Sequence, residues 1–176
     1  MIEPRIKVLV LGLGNDILTD DAVGLHIARE VARRLTGEPG IAVRETMEMG
    51  LALLDEIVGC ESLVLVDSIQ TGKAPPGHIH EIDAAGLSLI ATPSPHFLGI
   101  GETLKLGHLL GLSMPKHVEI FAIEVADPFT LGTSLTPDVE GTVQRAAEQV
   151  TARARALAEN PTPIHQPCVV TVQSEP

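Results

Sequence analysis

Three side chains in this sequence combine a reactive type with a suggestive setting: Asp21, Asp67 and His96. Asp21 follows the run Gly12-Leu13-Gly14-Asn15 and stands where a helix begins. A strand, a glycine turn and a helix start also describe a dinucleotide site. Here, however, Ile17 occupies the third glycine position, and Asp20 and Asp21 bring two carboxylates to the place a phosphate would need. The pair repels polyphosphate and attracts a cation. For Asp20 a capping role is the better reading; for Asp21 capping and ligand roles weigh equally. Asp67 closes the apolar run Ser62-Leu63-Val64-Leu65-Val66 with no basic residue close in sequence. A carboxylate there is costly unless it is hydrogen-bonded or metal-bound. The alternative is a loop-capping Asp. His96 ends Thr92-Pro93-Ser94-Pro95-His96, where two prolines stiffen the approach to a following helix; otherwise it is a solvated loop histidine. Two carboxylates and an imidazole suit a borderline divalent ion such as nickel or zinc, with positions left for water or substrate.

Other chemistries lack their residues. There is no G-x-S-x-G and no H-E-x-x-H, and Cys60, in Val58-Gly59-Cys60-Glu61, has nothing beside it in sequence to activate a thiol. His78 and His80 alternate on a predicted strand and offer a weak chelating pair that is expected to face solvent.

The elements that must position these residues follow from the hydrophobic pattern. Ile6 to Leu13 reads as a strand buried on both faces. Val23, Ile27, Val31 and Leu35 make one apolar stripe on a helix from Asp20 to Leu35. A strand over Ile41 to Met47, a helix over Gly50 to Val58 and a buried strand over Ser62 to Asp67 complete a β-α-β-α-β start, the mark of a three-layer α/β fold. Parallel pairing of the first and third strands brings Asn15, Asp21 and Asp67 to the carboxyl edge of the sheet, where such folds bind ligands. His78 to Ile82 reads as a short strand, too close behind the third for a parallel crossover and so antiparallel. A helix over Gly99 to Leu112, a strand over His117 to Val125 and a helix from Thr136-Pro137-Asp138 to Glu159 follow. Residues 1–160 are expected to form one domain and 161–176, rich in proline, a mobile tail.

Composition narrows the class. Hydrophobic residues make up 44 % of 176 residues, while aromatics are 2 % with no Trp or Tyr, so the core is expected to be aliphatic. A net charge of −11 argues against nucleic acid and anionic membranes as partners. Two distant cysteines give no disulfide framework, and Met1 to Arg5 opens no secretory signal, so a cytoplasmic location is expected.

Taken in order, several blocks resemble the hydrogenase maturation proteases: Val8 to Asn15, Asp20-Asp21, Gly50 to Leu54, Val64 to Ser68, Ser94 to Gly99 and Leu135 to Glu140. The resemblance covers residues 6 to 155. It implies a five-stranded mixed sheet in the order 2-1-3-5-4 with strand 4 antiparallel, phosphorylase/hydrolase-like. It implies an aspartic-type endopeptidase, acting as a monomer, that removes the C-terminal extension of a nickel-loaded hydrogenase large-subunit precursor. It further implies that Asp21, Asp67 and His96 are both the metal ligands and the catalytic residues, with nickel supplied by the substrate and replaceable in vitro by other divalent ions. The alternative is a nickel-checkpoint chaperone that binds the large subunit without cutting it. One stretch departs from the family: Glu45-Thr46-Met47-Glu48-Met49-Gly50 replaces a glycine-rich turn, with Glu48 expected in solvent.

Overall fold

The computed structural model describes residues 6–48, 50–83 and 95–159, with the backbone alone for 95–99. The expected tail lies outside these residues. The sheet has five strands in the order β2-β1-β3-β5-β4. These are β1 (Val8–Leu13), β2 (Ile41–Thr46), β3 (Ser62–Ile69), β4 (Ile79–Asp83) and β5 (His117–Glu124). Pairings of β1 with β2, β1 with β3 and β3 with β5 are parallel, and β4 runs antiparallel against β5. The short connection from β3 fixes the direction of β4, as its length requires. β4 nevertheless lies one position out, leaving the slot beside β3 for β5.

Strand alternation divides the core in two. Val8 and Val10 of β1, Val64 and Val66 of β3, and Phe121 and Ile123 of β5 pack with α1 (Val23–Arg34) and, from the C-terminal part of the chain, α5 (Val143–Glu159). Leu9 and Leu11, Leu63 and Leu65, and Val118 and Ile120 face the other way. They meet Leu53, Leu54 and Ile57 of α2 (Ala52–Ile57) and Ile100 of α3 (Pro95–Leu109). All eight residues of β3 are buried, as a central strand covered on both faces must be.

Several boundaries differ from the sequence reading: β3 runs on to Ile69, so Asp67 lies within the strand rather than at its end, and three further differences concern helices. The first helix opens as a single 3-10 turn, Asp20–Ala22, before α1 proper. The last helix is broken into α4 (Pro137–Glu140) and α5. The break sits at Gly141-Thr142, where the Thr142 hydroxyl lies 2.9 Å from the Gly77 carbonyl and 3.3 Å from that of Asp138. The turn before β4 thereby docks on the junction. Finally, α3 begins at Pro95, so His96 belongs to its first turn rather than to a preceding loop. Proline is compatible with that place because the first helical N–H has no partner to lose.

Candidate active site

β1 and β3 are parallel neighbours, so the turns leaving them open on one carboxyl edge. Along β3, Val64 and Val66 face α1 while Leu63, Leu65 and Ile69 face the α2–α3 side. The pleat therefore assigns Asp67 to the α2–α3 side and Ser68 to the α1 side. Asp21 enters from just ahead of α1, and the Ser68 hydroxyl donates to its Oδ1 at 2.8 Å. The Ser68 backbone N–H donates to Asp67 Oδ1 at 2.7 Å. One residue thus holds an oxygen of each carboxylate.

Asp67 is fully buried, and its Oδ2 is unpartnered among the described residues. Burial pushes its carboxyl well above the usual range; the Ser68 N–H opposes the rise and the nearby Asp21 charge adds to it. Such a group is relieved by a proton or by a cation.

His96 lies in the first turn of α3. That helix is fixed over the Asp67 side of the sheet by Ile100 in the core and by the Thr103 hydroxyl, which donates to the Gly50 carbonyl at 3.0 Å. The imidazole itself falls outside the described residues. Among those residues no three His, Cys, Asp or Glu side chains gather as a metal cluster. The structure accordingly links two members of the expected trio through Ser68 and sets the backbone of the third on the Asp67 side of the sheet.

Asp20 has a different task. Fully buried, it accepts from the N–H groups of Ala126 (3.2 Å), Asp127 (3.0 Å) and Thr136 (2.7 Å), and from the Thr136 hydroxyl (3.0 Å). It ties the long loop after β5 to the 3-10 turn. The helix-capping role expected of Asp20 is not what it performs: neither the 3-10 turn nor α1 has a side-chain cap, and Asp20 instead holds a distant loop. That loop also pairs with the turn after β1, Thr19 N–H to the Thr130 carbonyl at 2.9 Å and Gly132 N–H to the Ile17 carbonyl at 3.1 Å. Asn15 stays local, its side-chain oxygen accepting from the Ile17 N–H at 3.2 Å.

The glycines of the turn serve packing. A Cβ on Gly12 would stand 2.5 Å from the Gly24 carbonyl oxygen, and one on Gly24 would stand 2.2 Å from that of Leu13. Gly14, at φ 149°, would place a Cβ 2.1 Å from the Asp21 carbonyl oxygen. These glycines let the backbone of the helix start approach β1 closely. Cys60 is buried, and burial pushes its thiol up to about 11, which leaves no thiolate at neutral pH.

Residues 25–153 match the family profile described as hydrogenase maturation protease. The chain belongs to the hydrogenase maturation protease family. It is 29 % identical over 155 residues to the hydrogenase 2 maturation protease of Escherichia coli (strain K12), covering 85 % of this chain and 92 % of that protein. The solved structure of the hydrogenase maturating endopeptidase HybD from E. coli superposes with a TM-score of 0.69 at 30 % identity, over 87 % of this chain and 93 % of that one. The [NiFe] hydrogenase maturation protease HybD from Thermococcus kodakarensis gives 0.66 at 28 % identity, over 84 % and 99 %.

The end of β2 and the stretch after it carry side chains where the family resemblance led to the expectation of a glycine-rich turn, and the structure shows the contacts of Glu45. Glu45 accepts from Arg29 Nε at 2.8 Å, and Arg29 also grips Asp16 at 2.8 and 3.2 Å, which staples the end of β2 to the turn after β1. Glu48 is exposed, as expected. Two site features escaped the sequence reading. Ser68 is one, since no local pattern marks its bond to Asp21. Glu124, almost fully buried, accepts from the Thr71 N–H and hydroxyl (both 2.7 Å) and from the Gly72 N–H (2.8 Å). His80 Nε2 lies 2.9 Å from it, which draws His80 half-way into the protein, contrary to the solvent exposure expected of it. Among the described residues no helix is long and apolar enough to cross a membrane.

Proposed function

We propose that this protease removes the C-terminal extension from a hydrogenase large-subunit precursor that already holds nickel, and that Asp21, Asp67 and His96 receive that nickel and act on the bond beside it. Family membership supports the peptidase activity. The observation that carries the rest is the Asp21–Ser68–Asp67 linkage: two adjoining carboxylates, one of them fully buried with an unpartnered oxygen. Such a donor set fits a divalent cation, and the metal here is part of the substrate. A bound divalent ion can polarise a carbonyl or acidify a water. The chain's own residues do the selecting. Burial makes an uncompensated charge on Asp67 costly, and a cation carried by the precursor would relieve that cost, so the pair anchors a loaded precursor with the scissile peptide held alongside. Ile17, Phe129 and Leu131 are all exposed on the paired segments next to Asp20 and Asp21, an apolar rim suited to a protein substrate.

The test is intact-mass measurement of a precursor large subunit incubated with the protein, with and without nickel. Trimming only of the loaded precursor, and loss of trimming in Asp21→Asn, Asp67→Asn and His96→Ala, is the expected result. Efficient trimming of nickel-free precursor would overturn the nickel requirement, and binding without any mass change would point instead to a checkpoint chaperone.

A further inference from the structure

Ser68 sits on β3 opposite Ile123 of β5, so its backbone is held by the central ladder of the sheet. It is buried, and both of its donors are committed: the N–H to Asp67 Oδ1 and the hydroxyl to Asp21 Oδ1. The two contacts differ in kind. The N–H belongs to the backbone and survives any substitution short of proline. The hydroxyl is a side-chain group, and it reaches a carboxylate carried by a separate element, the 3-10 turn ahead of α1.

We infer that Ser68 is a positioning residue of this protease: its hydroxyl fixes the Asp21 carboxylate in register with Asp67, so that the two serve a divalent cation together. The inference rests on the proposed role of the Asp21–Asp67 pair. The physical reason is preorganisation. A carboxylate free to rotate about its χ angles must be ordered when the cation arrives, whereas one already held by a hydrogen bond has lost that freedom on folding. Hydrogen-bond partners of ligating carboxylates typically change metal affinity or activity by ~10–100-fold when removed. A hydroxyl is a suitable device, since it donates one hydrogen to the carboxylate and adds no charge that would compete with the cation.

The test uses the full chain and Ni²⁺ alone, read by calorimetry, beside precursor processing. Ser68→Ala is expected to unfold within a few degrees of wild type, to bind Ni²⁺ at least ~10-fold more weakly, and to process precursor more slowly by a like factor. Ser68→Thr, which keeps the hydroxyl, is expected to restore most of both. A structural role would not produce the next result: in an Asp21→Ala background, Ser68→Ala should cost no further Ni²⁺ affinity, because the partner is already gone. Wild-type affinity in Ser68→Ala, a folded Ser68→Thr as weak as the alanine variant, or additive losses in the double variant would each overturn the inference. If Ser68→Thr proves unstable, the double-variant comparison decides alone. Failure of the wild type itself to bind Ni²⁺ or cut a loaded precursor would instead strike the underlying reading of the pair, so the two failures are distinguishable.

Discussion

Asp20 and Asp21 are adjacent, identical and both buried, yet the structure gives them opposite work, and exchanging each for asparagine separates the two. The Asp20 carboxylate accepts from four donors among the described residues: Thr136 N–H on Oδ1, and Ala126 N–H, Asp127 N–H and the Thr136 hydroxyl on Oδ2. An amide in its place must turn an NH₂ toward N–H groups on one side or the other. At least one buried backbone donor then loses its acceptor, at ~1–3 kcal/mol each, and the charge assistance to the others is lost as well. A total of ~3–4 kcal/mol lowers the melting temperature by roughly 6–16 °C in a domain of this size. Asp21→Asn can keep its oxygen on the Ser68 hydroxyl, and should cost less stability than Asp20→Asn. Both exchanges remove one negative charge from a chain at −11, so that general effect cancels in the comparison. Thermal and urea unfolding of the two variants, followed by precursor processing, gives the readout. Asp20→Asn should be unstable but active when kept cold, and Asp21→Asn stable but inactive. Equal losses of stability, or the larger loss in Asp21→Asn, would refute the division of labour.

Burial raises the Asp67 carboxyl, so its contribution to stability is complete below the unfolded carboxyl pKa of about 3.9 and is lost as pH rises through the raised folded value. Asp67→Asn should therefore be inactive and should lose less stability than wild type between pH 4 and neutrality, as a pH series of melting curves would show. Glu124 behaves in the opposite sense: burial pushes it up, but the bonds from Thr71, His80 and Gly72 prevail and hold it below its usual range. Its contribution is present above about pH 4.3 and is lost as pH falls through the lowered value, so Glu124→Gln should flatten the acid limb of the stability curve. Gly24→Ala would drive a methyl against the carbonyl oxygens of Leu13 (2.2 Å) and Val66 (2.5 Å), both backbone, and should cost upwards of about 3 kcal/mol, seen as loss of soluble protein. Cys60→Ala should process precursor at the wild-type rate, since the thiol is protonated and buried in the α2–α3 core.

The sheet and its layers were legible because the apolar pattern is strong where it matters. β1 and β3 read as continuous hydrophobic runs, and those are the strands buried on both faces. The convergence of Asp21 and Asp67 followed from the same reading, since two parallel neighbours must send their following turns to one edge. Direction and position are separate questions for a short connection, however. Loop length set the direction of β4, but its place beyond β5 depends on a strand that comes later in the chain, and the resemblance to a known family supplied it. The buried polar contacts were less legible for a similar reason. Asp20, Glu124 and Ser68 each bond to partners far along the chain, Thr136, Thr71 and Asp21 respectively, and no local pattern encodes a hydrogen bond across such a separation. His80 illustrates the cost: alternation gave its strand, but only the burial of Glu124 explains why it turns inward.

The glycine turn after β1 shows how one local motif can serve two chemistries. In a dinucleotide site the glycines bring backbone N–H groups close to a phosphate at a helix N-terminus. Here Gly12 and Gly24 instead let α1 lie directly on β1 and β3, with backbone oxygens standing where any Cβ would go. That close approach carries the residues ahead of α1 down to the end of β3, within hydrogen-bond reach of Ser68. A side chain at either glycine would press against that backbone and disturb the approach that brings Asp21 to Ser68. The same glycines that resemble a phosphate cradle thus set the spacing of two carboxylates, and a site built for anions in one arrangement becomes one that suits a cation in the other.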